Sequence, residues 1–227
     1  MGVPRDDDAE TQTAASHARE RAAEAATLGL GPRLDEHATR ALLTVVESDD
    51  DARVRVAALG ALVRRGRKPI ARDAWIFAVN DDDASLRTRA AELAPLLSTR
   101  TTRATFTTRL LALLGDNDAL AAEAAAFALG EIGAERTADA NAVDALARVA
   151  TEHADPLVRE AAVAALGSIG DAAGLAAILH ATRDRPAIRR RAVLALAAFA
   201  GPEVEAAIAR ALDDADWQVR QAAEDLS

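Results

Sequence analysis

The sequence predicts an all-α solenoid of about six two-helix repeats, and three observations carry that prediction. The run from Asp155 to Gly170, Asp-Pro-Leu-Val-Arg-Glu-Ala-Ala-Val-Ala-Ala-Leu-Gly-Ser-Ile-Gly, recurs in degraded copies along most of the chain. The copies are keyed on Val54-Arg55, Leu86-Arg87, Ala121-Ala122, Val158-Arg159, Ile188-Arg189 and Val219-Arg220, at intervals of 32, 35, 37, 30 and 31 residues. A period of this size marks units too small to bury their own apolar face, which must stack on their neighbours. Second, alanine supplies 60 of the 227 residues, and it both favours helix and lets helix axes approach closely. Third, no segment alternates apolar and polar residues for long enough to read as a strand.

The elements follow in order. Residues 1–14 are polar and acidic and read as a flexible tail, because they bury too little to offset the entropy of ordering. Residues 15–227 read as a single solenoid. Ser16 is placed to cap a helix over 16–28, which Gly29, Gly31 and Pro32 end. Each unit then reads as helix A, a short acidic turn, helix B and a glycine or polar loop. The repeats are placed at about 33–66, 69–98, 103–133, 141–170, 171–200 and 202–227. Their A helices span about 34–47, 70–79, 104–114 and 142–152, then 171–182 with Asp171 as cap, then onward from Pro202. The first four B helices span about 52–65, 84–97, 119–132 and 156–169. The fifth opens on Pro186, a first-turn position where the missing N–H costs nothing. The sixth runs from Asp216 to the end.

Within the fourth B helix Val158, Ala161, Ala162, Ala165, Leu166 and Ile169 make one stripe at helical spacing, with Arg159, Glu160 and Val163 off it. This pattern, Asp-x-x-Val-Arg-x-Ala-Ala-x-x-Ala-Leu-Gly-x-Ile-Gly over 155–170, resembles HEAT repeats. It is closest to the short HEAT-like subclass of the phycobilisome lyase family. The resemblance covers about 34–227 and is strongest in the third, fourth and fifth units. It implies a right-handed α-α superhelix whose B helices line the concave side, where partners dock. It also implies that the recurrent arginines Arg55, Arg87, Arg159, Arg189 and Arg220 form a structural ladder, paired with aspartates of their own or the adjacent repeat. Asp49, Asp81 and Asp214 each stand six residues before their arginine, in keeping with that role. Ala122 breaks the ladder in the third unit.

Composition narrows the function. The formal charge is −9, which opposes nucleic acid as a partner because phosphate contacts dominate that affinity. Of the 27 basic residues only Lys68 is lysine, a bias that fits a GC-rich genome. Cysteine is absent, which excludes disulfides and thiolate chemistry. No leader-like or membrane-length apolar run occurs, so a cytoplasmic location is expected.

Each candidate site has a structural competitor. The triplets Asp49–Asp51 and Asp81–Asp83, with Asp213, Asp214 and Asp216, lack the spacing of a calcium loop and read as caps of the B helices. The cluster Arg64, Arg65, Arg67, Lys68 and Arg72 follows a helix C-terminus, where cations suit the dipole. Arg190 and Arg191 sit instead near a helix start, which makes them candidates for a partner. Trp75 reads as core; Trp217, with no repeat beyond it, either anchors a partner or closes the end of the stack. The histidines and glycines form no metal, nucleophile-elbow or phosphate-loop spacing, so no catalytic residue, metal or cofactor is assigned.

Partner contacts are expected just after each ladder position, at Val56, Thr88, Glu123, Glu160, Arg190 and Gln221, together with Arg191 and Trp217. A uniform basic column would suit a regular polyanion, whereas this mixed column suits a protein surface. The chain is therefore expected to be a non-catalytic scaffold or adaptor that binds one or more proteins. The alternatives are a lyase-like tetrapyrrole-binding protein and, more remotely, a HEAT-like DNA glycosylase.

Overall fold

The computed structural model describes residues 6–134 and 139–227, with side chains from residue 12 onward. The described residues are helices and their connections, with no strand among them. Two compact units divide the chain, residues 1–97 and residues 98–227.

The first unit holds α1 (Asp6–Leu28), α2 (Glu36–Ser48), α3 (Ala52–Arg65), α4 (Lys68–Ala78) and α5 (Ala84–Leu97). Helix α1 starts ten residues ahead of the expected cap at Ser16. No glycine or proline lies between Pro4 and Gly29, and alanines recur throughout, so nothing in that stretch stops the helix. Residues 6–14 are thus helix rather than tail; residues 1–5 lie outside the described residues. Helices α1, α3 and α5 stack on one another, and α2 packs on both α3 and α4. Trp75 is fully buried, as expected, and its indole N–H donates to the Ala90 carbonyl oxygen at 2.6 Å, which settles its one polar atom.

The second unit holds α6 (Arg103–Leu113), α7 (Ala119–Ala134), α8 (Ala140–Glu152), α9 (Pro156–Ile169), α10 (Leu175–Ala181), α11 (Pro186–Ala195), α12 (Pro202–Ala211) and α13 (Trp217–Glu224). A 3-10 turn, Ala172–Gly174, leads into α10, and the side chain of Asp171 caps it by accepting from the Ala173 N–H. A second 3-10 turn, Leu196–Ala198, prolongs α11. Residues 135–138, between the third and fourth expected repeats, lie outside the described residues. Helices α7, α9, α11 and α13 stack in series. Helix α9 is enclosed by α7, α8 and α11, so burial exceeds the single expected stripe. Val163, placed off the stripe by sequence, is fully buried, while Ile169 at the last turn is only half-buried.

Stacking this close requires small residues at the crossings. A Cβ on Gly130 would lie 2.8 Å from the Ala165 Cα, and one on Gly167 would lie 2.6 Å from the Ala195 Cβ. Inside an exposed helix, exchanging glycine for alanine gains up to about 1 kcal/mol. Here the sign reverses: Gly130→Ala and Gly167→Ala are expected to lose about 1–3 kcal/mol through overpacking. Gly115→Ala, whose Cβ would meet nothing nearer than 3.7 Å, is expected to stay within about 0.5 kcal/mol of wild type. Urea unfolding of the three variants checks this; a stabilised Gly130→Ala would show that α7 and α9 are not in this contact.

Candidate functional site

The inter-helix turns of both units are built on two acidic positions, two residues apart. The second aspartate caps the following B helix. Asp51 accepts from the Arg53 N–H, Asp83 from Ser85, Asp118 from Leu120, Asp155 from Leu157 and Asp216 from Gln218, at 2.8–3.0 Å. The first position closes the turn onto the second. Asp49, Asp81 and Asp214 accept the N–H of Asp51, Asp83 and Asp216 at 2.8–3.0 Å. His153 takes that place in the fourth repeat through Nδ1, at 3.1 Å from the Asp155 nitrogen. The aspartates are thereby engaged in turn geometry, and the described residues contain no cluster of three His, Asp or Glu side chains able to hold a metal ion.

Each ladder arginine grips its own turn, and Arg55, Arg159 and Arg189 grip the next turn as well. Its Nη1 donates to a main-chain carbonyl of its own turn: Arg55 to Asp49, Arg87 to Asp81, Arg159 to His153, Arg189 to Asp184 and Arg220 to Asp214, at 2.7–2.9 Å. The rest of the fork reaches the next turn's carboxylate. Arg159 binds Asp184 through Nε and Nη2 at 2.8 and 3.0 Å, and Arg189 binds Asp214 at 2.8 and 2.6 Å. Arg55 reaches Asp81 with Nη2 alone, at 2.8 Å, and its buried Nε has no hydrogen-bond partner. The carbonyl therefore comes from the same repeat and the carboxylate from the one after.

Sequence reasoning missed one rung. Arg21 on α1 binds Asp49 at 3.0 and 3.1 Å, which makes α1 a lone B helix in front of the first repeat. The available signal was the period, since Arg21 lies 34 residues before Arg55. An apolar cavity of about 310 Å³ lies beside this helix, between Ala25 and Leu28 of α1 and Ala38, Ala41, Leu42 and Val45 of α2.

With the ladder committed to structure, the partner candidates sort by unit. In the first unit Val56 and Thr88 are both half-buried. The basic cluster that follows α3 is occupied locally. Lys68 donates to the Val63 carbonyl at 3.1 Å, Arg65 to that of Gly29 at 3.3 Å, and Arg67 pairs with Glu36 at 3.0 Å.

In the second unit, Glu123 on α7, Glu160 on α9 and Arg191 on α11 come together on one face. Arg191 Nε lies 3.4 Å from Glu160 Oε1. Burial pushes the Glu123 carboxyl above its usual range, and the charges of Asp155 and Glu160 push it further the same way. Arg190 is exposed, and Gln221 is turned to Asp225 at 3.0 Å. Trp217 is 64% exposed at the first position of α13 and stands outside the apolar cluster of Val193, Ala211, Val219, Ala222 and Ala223.

Three large apolar side chains that sequence reasoning passed over share the Glu123–Glu160 face. Leu120 and Phe127 are 60% and 45% exposed and lie on the same side of α7 as Glu123, three before it and four after it. Leu157, 54% exposed, precedes Glu160 by three on α9. The signal in the sequence was a large apolar residue off the buried stripe, which the stacking does not need.

The ladder carboxylates of Asp49, Asp184 and Asp214 are held below their ordinary value. The arginine hydrogen bond is the leading cause at Asp184 and Asp214, while at Asp49 the Arg21 bond acts against burial. Groups depressed in the folded state contribute stability above the unfolded value of 3.8 and lose it as pH falls through that value and below. A thermal midpoint that declines below pH 3.8 is therefore expected, with a shallower decline in Asp184→Asn/Asp214→Asn. At neutral pH, Asp214→Ala is expected to cost about 2 kcal/mol in urea unfolding, more than an exposed ion pair, because the bidentate fork is partly buried. A cost near zero would remove the ladder from the account of stability.

Comparison with known proteins agrees with this geometry. Residues 107–187 match the family model of HEAT repeats, and residues 188–214 match that of the PBS lyase HEAT-like repeat. No curated protein matches the sequence. Among solved structures, YibA of E. coli is similar over 84% of this chain and 68% of its own, at 16% identity and a TM-score of 0.65. The CpcE–CpcF complex of phycocyanin lyase from Nostoc sp. PCC7120 is similar over 85% and 76%, at 24% identity and 0.59. A designed armadillo repeat protein in complex with the peptide (KR)4 is similar over 81% and 95%, at 16% identity and 0.60. The repeat pattern, the stacked helix pairs and the two family matches make residues 107–214 HEAT-like repeats, the last stretch of them matching the PBS lyase type.

Proposed function

We propose that the protein is a scaffold that binds a partner protein on the exposed face of its B helices, centred on α7 and α9. The observation that carries this reading is the exposure of Leu120, Phe127 and Leu157 on that face. Apolar side chains of this size are used elsewhere in the unit to fill the spaces between helices. Here about half of each side chain is left outside the stack, and a cluster of them rimmed by charge is the composition of a docking surface. Arg190, Arg191, Gln221 and Trp217 extend the candidate contacts along α11 and α13, and Val56 and Thr88 are the corresponding candidates of the first unit.

A second reading, binding of a tetrapyrrole, rests on the repeat type matched over residues 188–214 and on the similarity to a phycocyanin lyase complex. An absorbance titration with a free bilin separates the two.

The docking reading is tested on a partner recovered by affinity purification and then prepared pure. Phe127→Ala and Leu157→Ala are each expected to weaken its binding by about 2 kcal/mol, about thirtyfold in Kd, with a smaller loss of stability, since about half of each side chain is exposed, so that the variants remain folded at the binding temperature. Retention of full affinity in the double variant would place the interface elsewhere.

A further inference from the structure

We infer that the α7–α9 face takes a basic amphipathic helix, with apolar residues seated on Leu120, Phe127 and Leu157 and cations set against Glu123 and Glu160. The inference rests on the proposed docking face and adds the chemistry of its occupant. Two properties of the face select that chemistry.

The first is spacing. Leu120 and Phe127 are seven residues apart on one helix, which places them about 10 Å apart along its axis. Leu157 stands on the adjacent helix, at a helix–helix separation of about 8–10 Å. Leu120 and Phe127 match the i and i+7 points of the stripe that a helix presents over two turns, and Leu157 adds a further apolar point on the adjacent helix.

The second is charge. Glu123 lies between the apolar points on α7, Glu160 lies one turn beyond Leu157 on α9, and Asp155 begins the same helix. The neighbours that act on Glu123 are two further carboxylates, and each disfavours its ionisation. No cation pairs with Glu123 among the described residues. The nearest arginine on the face, Arg191, meets Glu160 at 3.4 Å, too long for a strong charge-assisted bond. Negative charge is therefore gathered beside exposed apolar surface, with Arg191, 3.4 Å from Glu160, the cation set against it and none paired with Glu123 among the described residues. A Lys or Arg side chain suits that place, its stem lying on Leu120 or Leu157 and its charge on the carboxylates. An acidic segment would add repulsion to repulsion, and so would a polyanion.

The test uses the whole chain and a fluorescent helical peptide of leucine and arginine, its leucines at i, i+3, i+4 and i+7. Binding by fluorescence anisotropy is expected for the wild type, weakening as salt rises. Glu123→Gln/Glu160→Gln is expected to lower affinity about tenfold or more and to flatten the salt dependence. The same exchange at Glu203 and Glu205, exposed carboxylates on α12, is expected to leave affinity unchanged. Removing the Glu123 charge relieves repulsion, so the variant folds, and its unfolding midpoint is the control. The inference is overturned if Glu123→Gln/Glu160→Gln binds like wild type, if the α12 pair weakens binding equally, or if a peptide with glutamate in place of arginine binds as well. A natural partner that depends on Phe127 and Leu157 but not on Glu123 and Glu160 would sink the charge inference and leave the docking reading standing. A peptide lost by the glutamine variant but kept by Phe127→Ala/Leu157→Ala would do the reverse.

Discussion

The guanidinium that ties one inter-helix turn to the next is the constraint on which the rest of each unit depends. Short helix pairs meet two difficulties: the turn between A and B exposes main-chain carbonyls, and adjacent pairs have no covalent reason to keep a fixed register. One arginine answers both. Its Nη1 satisfies a carbonyl of its own turn, and its remaining donors fix the carboxylate of the following turn at 2.6–3.0 Å. The planar fork matters, because lysine offers a point charge and could not hold two acceptors in defined directions. That requirement gives the near-total preference for arginine a structural use at these positions, whatever its origin in the genome. The same aspartate also accepts an N–H of its own turn, so the turn is shaped before the arginine arrives.

The third repeat shows what replaces this bond when it is lost. Ala122 stands where an arginine is expected, and His153 stands where the receiving carboxylate would be, so both ends of the rung are missing together. No unpaired charge is left behind, which is the costly outcome when one partner of such a pair is removed. In compensation α7 is nearly all small residues on its packed sides, with Ala121, Ala122, Ala125, Ala126, Ala128 and Gly130 buried. Gly130 lets the α9 backbone come within van der Waals reach at Ala165. Contact area replaces the ion pair. Dispersion and burial accumulate over many atoms, so a dense alanine seam can hold the register without directional bonds.

Much of this was legible in the sequence, for reasons that differ by element. The caps at Asp51, Asp155, Asp171 and Asp216 were readable because capping is local, set by a side chain and an N–H two residues on. The A and B helices followed from the period and from glycine and proline. The rungs were readable as residue types but not as partners. Sequence spacing pointed to the aspartate six residues before Arg55, Arg87 and Arg220, which offers its carbonyl; the adjacent repeat, the other source that the resemblance allowed, supplies the carboxylate, 25 or 26 residues ahead of Arg55, Arg159 and Arg189. Helix α1 was cut short because Ser16 resembles a cap, although the alanine-rich segment before it propagates helix without one. Val163 was assigned to the surface because a single helical stripe assumes one packed side, and α9 has three. Leu120, Phe127 and Leu157 showed in the sequence only as large apolar residues off the buried stripe, a position that Val163 shares while being buried, because periodicity reports what is apolar and not what a neighbour leaves uncovered.

That last difference is what the proposed docking face rests on. Positions that carry the ladder, the caps and the small-residue crossings are constrained by stacking, and a change at any of them is felt by the adjacent repeat. The open face of α7 and α9 is not constrained in this way, so its side chains answer to something other than the stack. Glu123 makes the point most directly. Its carboxyl is partly buried beside Asp155 and Glu160, so its charged form works against the folded state. A chain selected for stability alone would place glutamine there, or a cation. The negative charge of Glu123 costs stability and the exposed leucine and phenylalanine beside it cost solubility, and both costs are relieved when a complementary surface covers the face. The same physical reasoning that assigns Arg189 to the scaffold sets Glu123 apart from it: Arg189 finds its acceptors within the unit, whereas Glu123 has two carboxylates for charged neighbours, which is why the proposed docking face is centred there.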